Sequence, residues 1–391
     1  MAAAQRQGAA SSDSDRPVTV TAAVLLMCAG VSMFQVEPLF LGVVAEQMTL
    51  SGGDLGILAG VELLGAALGS ICAVFWVPHF DWRKVAFASL GVIVAGNLLS
   101  ATAGQFHQLV TIRCLTGVFG QGTAYAVGLA VVSDMRNPER VFGITVACQV
   151  GLAMLAMVFM PPLIERWGAG GVLYPLAVFA LLVLPFSSLL PAAVGGLERA
   201  GEGRGYDSPA PIVLALGTQV VWYLGVGAVW AFLERIGAAS HIELADIGAA
   251  LAIGMGVGIL GALLASVVGS RCDQIRMYAL AMIVQVAALL ILANELSWVS
   301  FVVAVTLFNI SWNFALPFLL GAIAAHDHSG RFTVLLIAAQ GLGVAVGPVI
   351  AGVLSEVVGY AAICYFAIAA CVGSVVVFRR TRRFNRGIQH G

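Results

Sequence analysis

The chain has 391 residues, of which 60% are hydrophobic and only 10% charged, and its formal net charge is −1. Soluble domains carry about 25% charged residues and about 45–50% apolar ones. With a mean hydropathy of +0.98, this chain cannot cover a water-facing surface, and a polytopic membrane protein is indicated.

Residues 1–17 (MAAAQRQGAASSDSDRP) are polar and lack the apolar core and cleavage site of a signal peptide, so a disordered cytoplasmic tail is expected. Apolar runs then follow at about 18–46, 55–77, 85–104, 108–133, 141–164, 171–190, 210–233, 246–268, 277–294, 297–324, 332–355 and 360–378. Each is long enough for a hydrocarbon core that needs about 20 residues of helix. Helices are the open-ended solution there, because every backbone N–H and C=O must be satisfied within its own segment. The expected fold class is an all-α polytopic membrane protein with twelve transmembrane helices.

The longest polar interruption, Pro191–Pro209 (PAAVGGLERAGEGRGYDSP), reads as a cytoplasmic linker. It separates an N-terminal six-helix bundle over 18–190 from a C-terminal one over 210–378, and a basic cytoplasmic tail, 379–391, closes the chain. Placing both termini inside puts 16 of the 19 Lys and Arg residues on the cytoplasmic side, leaving Arg113, Arg166 and Arg235. This is the distribution of the positive-inside rule, and a plasma (inner) membrane location is expected. The RRTRRFNR string of the tail reads as an anchor at anionic headgroups.

Seven cysteines show no CxxC spacing, and no metal or disulfide framework is expected. His326 and His328 read as a solvated turn. Gly256-Val-Gly258-Ile-Leu-Gly261 satisfies a dinucleotide fingerprint in letters only. That motif requires a strand before it and a helix start after it, whereas this string lies mid-helix, where glycines serve close helix packing.

Shifting the chain on itself reveals a repeat. At an offset of 192, Asp54 meets Asp246, Gly56 meets Gly248, Gly69 meets Gly261, Asp81 meets Asp273 and Lys84 meets Arg276. At 191, Arg140 meets Arg331, Gln149 meets Gln340, Glu165 meets Glu356, Gly168 meets Gly359 and Tyr174 meets Tyr365. Coincident charged positions in a chain so poor in charge indicate two parallel six-helix repeats.

Twelve helices, both ends inside, a six-plus-six parallel repeat and a polar central linker make the chain resemble the major facilitator superfamily over residues 18–378. The family signature between its second and third helices, Gly-x-x-x-Asp-Arg with further bases, corresponds to Val77–Lys84 here: Asp81, Arg83 and Lys84 remain and the glycine is lost. The second half has Gly269-Ser-Arg-Cys-Asp273-Gln-Ile-Arg276, closer to the pattern. The resemblance implies that these loops lock the cytoplasmic side; an acid there can pair with a base or cap a helix N-terminus. Arg113 followed by Gly117, Gly120, Gln121 and Gly122 matches the family's fourth helix. The Gly-Pro motif that proton-driven exporters carry in the fifth helix is absent, and a similar string, Gly343–Gly352, lies in the eleventh run instead.

Charges inside an apolar core are costly and point to function. Glu37, Glu62 and Arg113 are the three in this core. At about 1.5 Å per residue they lie roughly 15, 12 and 9 Å from the outer ends of their helices, close enough in depth for contact. Their repeat counterparts are Val229, Gly254 and Ala304 or Val305, so the charges belong to one half only. Burial and a nearby arginine act on a carboxyl's proton in opposite senses. Glu37 or Glu62 is the expected proton carrier, with Arg113 as counter-ion or as anchor for an anionic solute; a static ion pair between helices is the alternative.

The resemblance further implies that the first, fourth, seventh and tenth helices surround a central site. The residues expected to line it are Gln35, Gln121, Tyr125, Gln219, Trp222, Tyr223, Trp230, Asn309, Trp312 and Asn313, a lining of rings and amides suited to a flat or amphipathic organic solute. Packing of the rings between helices is the competing reading. The expected function is proton-coupled secondary transport of such a solute by alternating access, leaning to uptake, with a proton-driven efflux antiporter as the alternative. A membrane enzyme lacks any intramembrane catalytic constellation, and a non-transporting sensor is the remaining class. Solute and bilayer are the expected partners of a monomer, with no cofactor beyond the coupling proton and no nucleic acid.

Overall fold

A computed structural model describes residues 16–76, 79–192, 209–269, 272–324 and 331–388. Among them are helices α1 (Pro17–Gln47), α2 (Gly52–Trp76), α3 (Trp82–Thr102), α4 (Phe106–Ser133), α5 (Pro138–Trp167) and α6 (Gly170–Leu189). After the interruption come α7 (Pro209–Ala239), α8 (Leu244–Val268), α9 (Gln274–Leu292), α10 (Trp298–Ala324), α11 (Arg331–Val357) and α12 (Tyr360–Ile388). All twelve contain a stretch long and apolar enough to cross a membrane, and the chain is an integral multi-pass membrane protein. Residues 1–15 of the expected tail, 193–208 of the linker and the His326/His328 turn lie outside the described residues.

Two helices are not uniform. α4 runs as a π-helix over Thr116–Gly122, and α6 tightens into a 3-10 turn over Leu184–Leu189. Proline sits inside α1 (Pro38), α6 (Pro175), α10 (Pro317) and α11 (Pro348). Membrane helices tolerate this because neighbouring groups take up the freed carbonyls.

The packing forms two compact units. The first comprises 1–37, 61–156 and 162–199; the second comprises 38–60, 157–161 and 200–391. Their borders therefore cut α1 after Glu37 and α2 after Gly60. In the first unit, α3 packs on α6 and on the π segment of α4. In the second, α7 packs on α11 and α12, α10 on α8 and α9, and α9 on α12.

The internal repeat extends to local geometry. Thr49 and His241, 192 residues apart, both adopt positive φ (49° and 60°). Gly168 and Gly359, 191 apart, do the same at the turns before α6 and α12 (56° and 105°), where a side chain would be strained. A Cβ on Gly69 would lie 2.2 Å from the Val118 carbonyl oxygen, and one on Gly261 would lie 2.2 Å from that of Ile310. Both glycines and both carbonyls are offset by 192. The same helix-to-helix contact is thus built twice, once between α2 and α4 and once between α8 and α10.

Candidate functional site

The charge cluster lies in the first unit. Glycines bring α2 and α4 into backbone contact: a Cβ on Gly117 would stand 2.5 Å from the Glu62 carbonyl oxygen, and one on Gly122 2.1 Å from that of Ala66. At this separation the Glu62 carboxylate reaches Arg113. Arg113 Nε donates to Glu62 Oε2 at 2.8 Å, and Nη2 donates to Oε1. Arg113 Nη1 donates to Asn97 Oδ1 on α3 at 2.8 Å, and Gln121 Nε2 donates to Glu62 Oε1 at 2.8 Å. Arg113 is fully buried, and Glu62, Asn97 and Gln121 nearly so. The paired, fork-like geometry is the strong form of arginine–carboxylate contact.

The π segment explains why Gln121 joins. Residues eight apart on an α-helix point about 80° away from each other. A π turn takes up more residues per turn, which unwinds that difference and swings Gln121 back onto the side of Arg113. Gly96 of α3 accommodates Thr116 at the start of the segment, where a Cβ would meet Thr116 Oγ1 at 2.0 Å.

Glu37 is the third charge. It is buried at 4% exposure, within electrostatic reach of Glu62 and Arg113, and its Oε2 has no hydrogen-bond partner. The three charges read from the sequence are therefore gathered in one place, but unequally: Glu62 is held at both oxygens and Glu37 is not. Gln35 and Tyr125 are half-buried, and the Tyr125 backbone nitrogen packs against Gly30 of α1, 2.8 Å from where a Cβ would stand.

The aromatic residues lie in the second unit. Trp222, Tyr223 and Trp230 of α7 are fully buried, Asn309 is 4% exposed, and Trp312 and Asn313 are half-buried. Trp222 Nε1 donates to Gln285 Oε1 of α9 at 2.8 Å, and Trp312 Nε1 donates to the Tyr223 hydroxyl at 2.9 Å. Rings meet edge-on, Trp222 with Tyr278 (5.7 Å), Tyr223 with Trp312 (6.1 Å) and Trp230 with Trp312 (6.2 Å). Asn313 Nδ2 and Asn309 Nδ2 each donate to the carbonyl four residues earlier, at 2.9 Å. Gln219, by contrast, is fully buried with neither amide atom partnered.

No protein-family model and no curated protein matches the sequence. Solved structures do. The nucleoside transporter NupG aligns over 93% of this chain and 97% of its own, at 12% identity and a TM-score of 0.67. A mutant of NupG aligns over 93% and 99%, at 11% identity and a TM-score of 0.71. The chain has the fold of these transporters over most of its length. At this identity the likeness is one of fold, and these two neighbours are transporters by name.

Asp81 and Asp273, of the two loops expected to lock the cytoplasmic side, have a local structural role. Asp81 caps α3, accepting from Arg83 N at 3.0 Å, and Asp273 caps α9, accepting from Arg276 N at 3.0 Å. Arg83 also donates through Nε to the Leu190 carbonyl at the end of α6. Lys84 and Arg276 are exposed.

Several polar contacts were not singled out from the sequence. Asn97 is one; its signal was an isolated amide in an apolar run. Gln285 of α9 is another of the same kind. In the second unit Arg235 of α7 joins Glu234 (2.9 Å) and Glu46 of α1 (2.8 Å), and Glu356 of α11 accepts from Gly53 N at the start of α2 (2.7 Å). The contacts to Glu46 and between Glu356 and Gly53 link distant segments, and no local pattern announces them. Among the described residues, no group of three or more His, Cys, Asp or Glu is placed to hold a metal ion.

Proposed function

We propose that the protein is a proton-coupled secondary transporter that takes up a small, flat or amphipathic organic solute by alternating access. The observation that carries this reading is the unequal treatment of two neighbouring buried carboxyls. Glu62 has both oxygens held by Arg113, and Gln121 adds a third donor, so its charge is compensated in place. Glu37 keeps one oxygen without a partner. An ionised carboxylate is expensive to bury in that condition, so Glu37 takes a proton when sealed from water and gives it up when water reaches it. Arg113 and Glu62 set the local field in which that exchange occurs.

The fold supports a transporter, and a parallel-repeat architecture of this kind works by rocking of its halves around a central site. Half-buried Trp312 and Asn313 beside Tyr223 suit a solute with a ring. Nucleosides, which NupG carries by its name, are the first solutes to test. The excess of Lys and Arg on one side supports a reading with both termini in the cytoplasm.

The test is solute-induced proton movement in proteoliposomes, wild type beside Glu37→Gln. Wild type should move protons inward with solute, whereas Glu37→Gln should keep solute counterflow and lose the proton signal. A Glu37→Gln protein that still moves protons with solute overturns the assignment. Proton movement opposite to solute would replace uptake by efflux exchange.

A further inference from the structure

Gln219 lies one helical turn before Tyr223 on α7, with 0% exposure, and neither its Nε2 nor its Oε1 has a hydrogen-bond partner. Its polar neighbours differ. Thr218 Oγ1 donates to the Leu214 carbonyl (2.8 Å), Trp222 Nε1 to Gln285 (2.8 Å), and the Tyr223 hydroxyl accepts from Trp312 (2.9 Å). Among the described side chains of α7, Gln219 is the one whose entire hydrogen-bonding capacity is left over. A buried amide without partners is a standing cost in an apolar setting, and intramembrane polar groups mark solute paths.

We propose that Gln219 binds the lactam edge, an adjacent ring N–H and C=O, of a flat heterocyclic solute. This rests on the transporter reading above. The chemistry follows from the amide itself. It offers one acceptor and a donor side by side, so only a partner with a donor next to an acceptor satisfies both. A carboxylate would leave Oε1 unpaired, an ammonium would leave Nε2 unpaired, and a lone hydroxyl serves one at a time. Aromatic partners for a ring lie nearby: i,i+4 side chains on a helix are neighbours at about 5–6 Å, which puts Tyr223 next to Gln219, and Trp312 sits edge-on to Tyr223 while remaining half-buried. An aromatic platform beside a two-point amide fixes a flat ring by face and by edge. A site built to hydrogen-bond in this way discriminates strongly against a solute lacking the matching group.

Binding is measured separately from transport, as ligand-induced thermal stabilisation of the detergent-purified full chain. Three lactams (uridine, inosine and 2-pyridone) are compared with their ring N-methylated forms, which cannot donate. Wild type should be stabilised by at least one lactam with an affinity at least tenfold above that of its N-methyl partner. Gln219→Met, similar in length and without the amide, should erase that ratio while the N-methyl form binds within about twofold of its wild-type affinity. If none of the three lactams stabilises wild type, or if the ratio survives in Gln219→Met, the proposal fails. If Gln219→Met raises the melting temperature and changes no affinity, the amide is only an unpaired group, and the proposal fails as well. Proton-coupled uptake is read in a different assay, so lactam binding lost in Gln219→Met with no proton movement in wild type would uphold this site and remove the coupling mechanism.

Discussion

Gln121 donates to Glu62 Oε1 from the same side of α4 as Arg113, although eight residues separate the two on a helix where that spacing ordinarily points side chains apart. The π segment between them is therefore part of the charge cluster. It gives Glu62 a donor besides the guanidinium, and Asn97 accepts from Nη1 of the same arginine.

Removing that donor has a definite cost. Gln121→Leu leaves a buried Glu62 oxygen with fewer donors, a loss of about 1–3 kcal/mol by the usual cost of an unmade buried hydrogen bond. Gln121→Glu should be worse, because it sets a second carboxylate against Glu62. Unfolding in SDS–detergent mixed micelles measures both. Equal stability of Gln121→Leu and wild type would mean that the contact contributes nothing.

The ion pair separates single from double substitution. Arg113→Ala strands Glu62 in the core and should lose about 3–5 kcal/mol, whereas replacing both partners with apolar residues of similar volume should recover most of that. Glu62→Leu with Arg113→Met is the double variant. A double variant no more stable than Arg113→Ala, in the same unfolding assay, would show that the cluster is held by something other than its charges.

The glycines divide by what lies beyond them. A Cβ at Gly122 would stand 2.1 Å from the Ala66 carbonyl oxygen, which is backbone and cannot yield, so Gly122→Ala should abolish recovery of folded protein. Gly91 is inside α3 with nothing within 4 Å. Gly91→Ala should stabilise by about 0.5–1 kcal/mol, the entropic difference between the two residues in a helix. Size-exclusion recovery and melting temperature report the contrast.

Helix positions were legible because twenty-residue apolar runs have one structural outcome in a bilayer, and the repeat was legible because charge is scarce. Glu37, Glu62 and Arg113 stood out for the same reason. Gln121 and Tyr125 were placed on the solute-facing lining by the resemblance, and nothing in Thr116–Gly122 except its glycines distinguishes a π turn from a packing face. Trp222 illustrates a second limit. In a helix apolar all round, sequence cannot tell a cavity side from a neighbour's side, and the structure seats its indole N–H on Gln285 of α9. Asn97 and Gln285 escaped notice because a neutral amide costs less to bury than a charge and draws less attention.

Arg235 makes two contacts of very different worth. Its Glu234 partner is 5% exposed at the side chain and packs on Gly42 of α1, where a Cβ would clash with the carboxylate, while Glu46 is 73% exposed. An exposed pair contributes about 0.2–1 kcal/mol and is screened by salt, so Glu46→Ala should barely move stability. Arg235→Ala leaves Glu234 buried without its cation and should cost about 3–5 kcal/mol. The small Glu46 effect should vanish when salt is raised, and the Arg235 effect should persist. If the two substitutions cost the same, Glu234 is not relying on Arg235, and the link between α1 and α7 rests on the glycine contact alone.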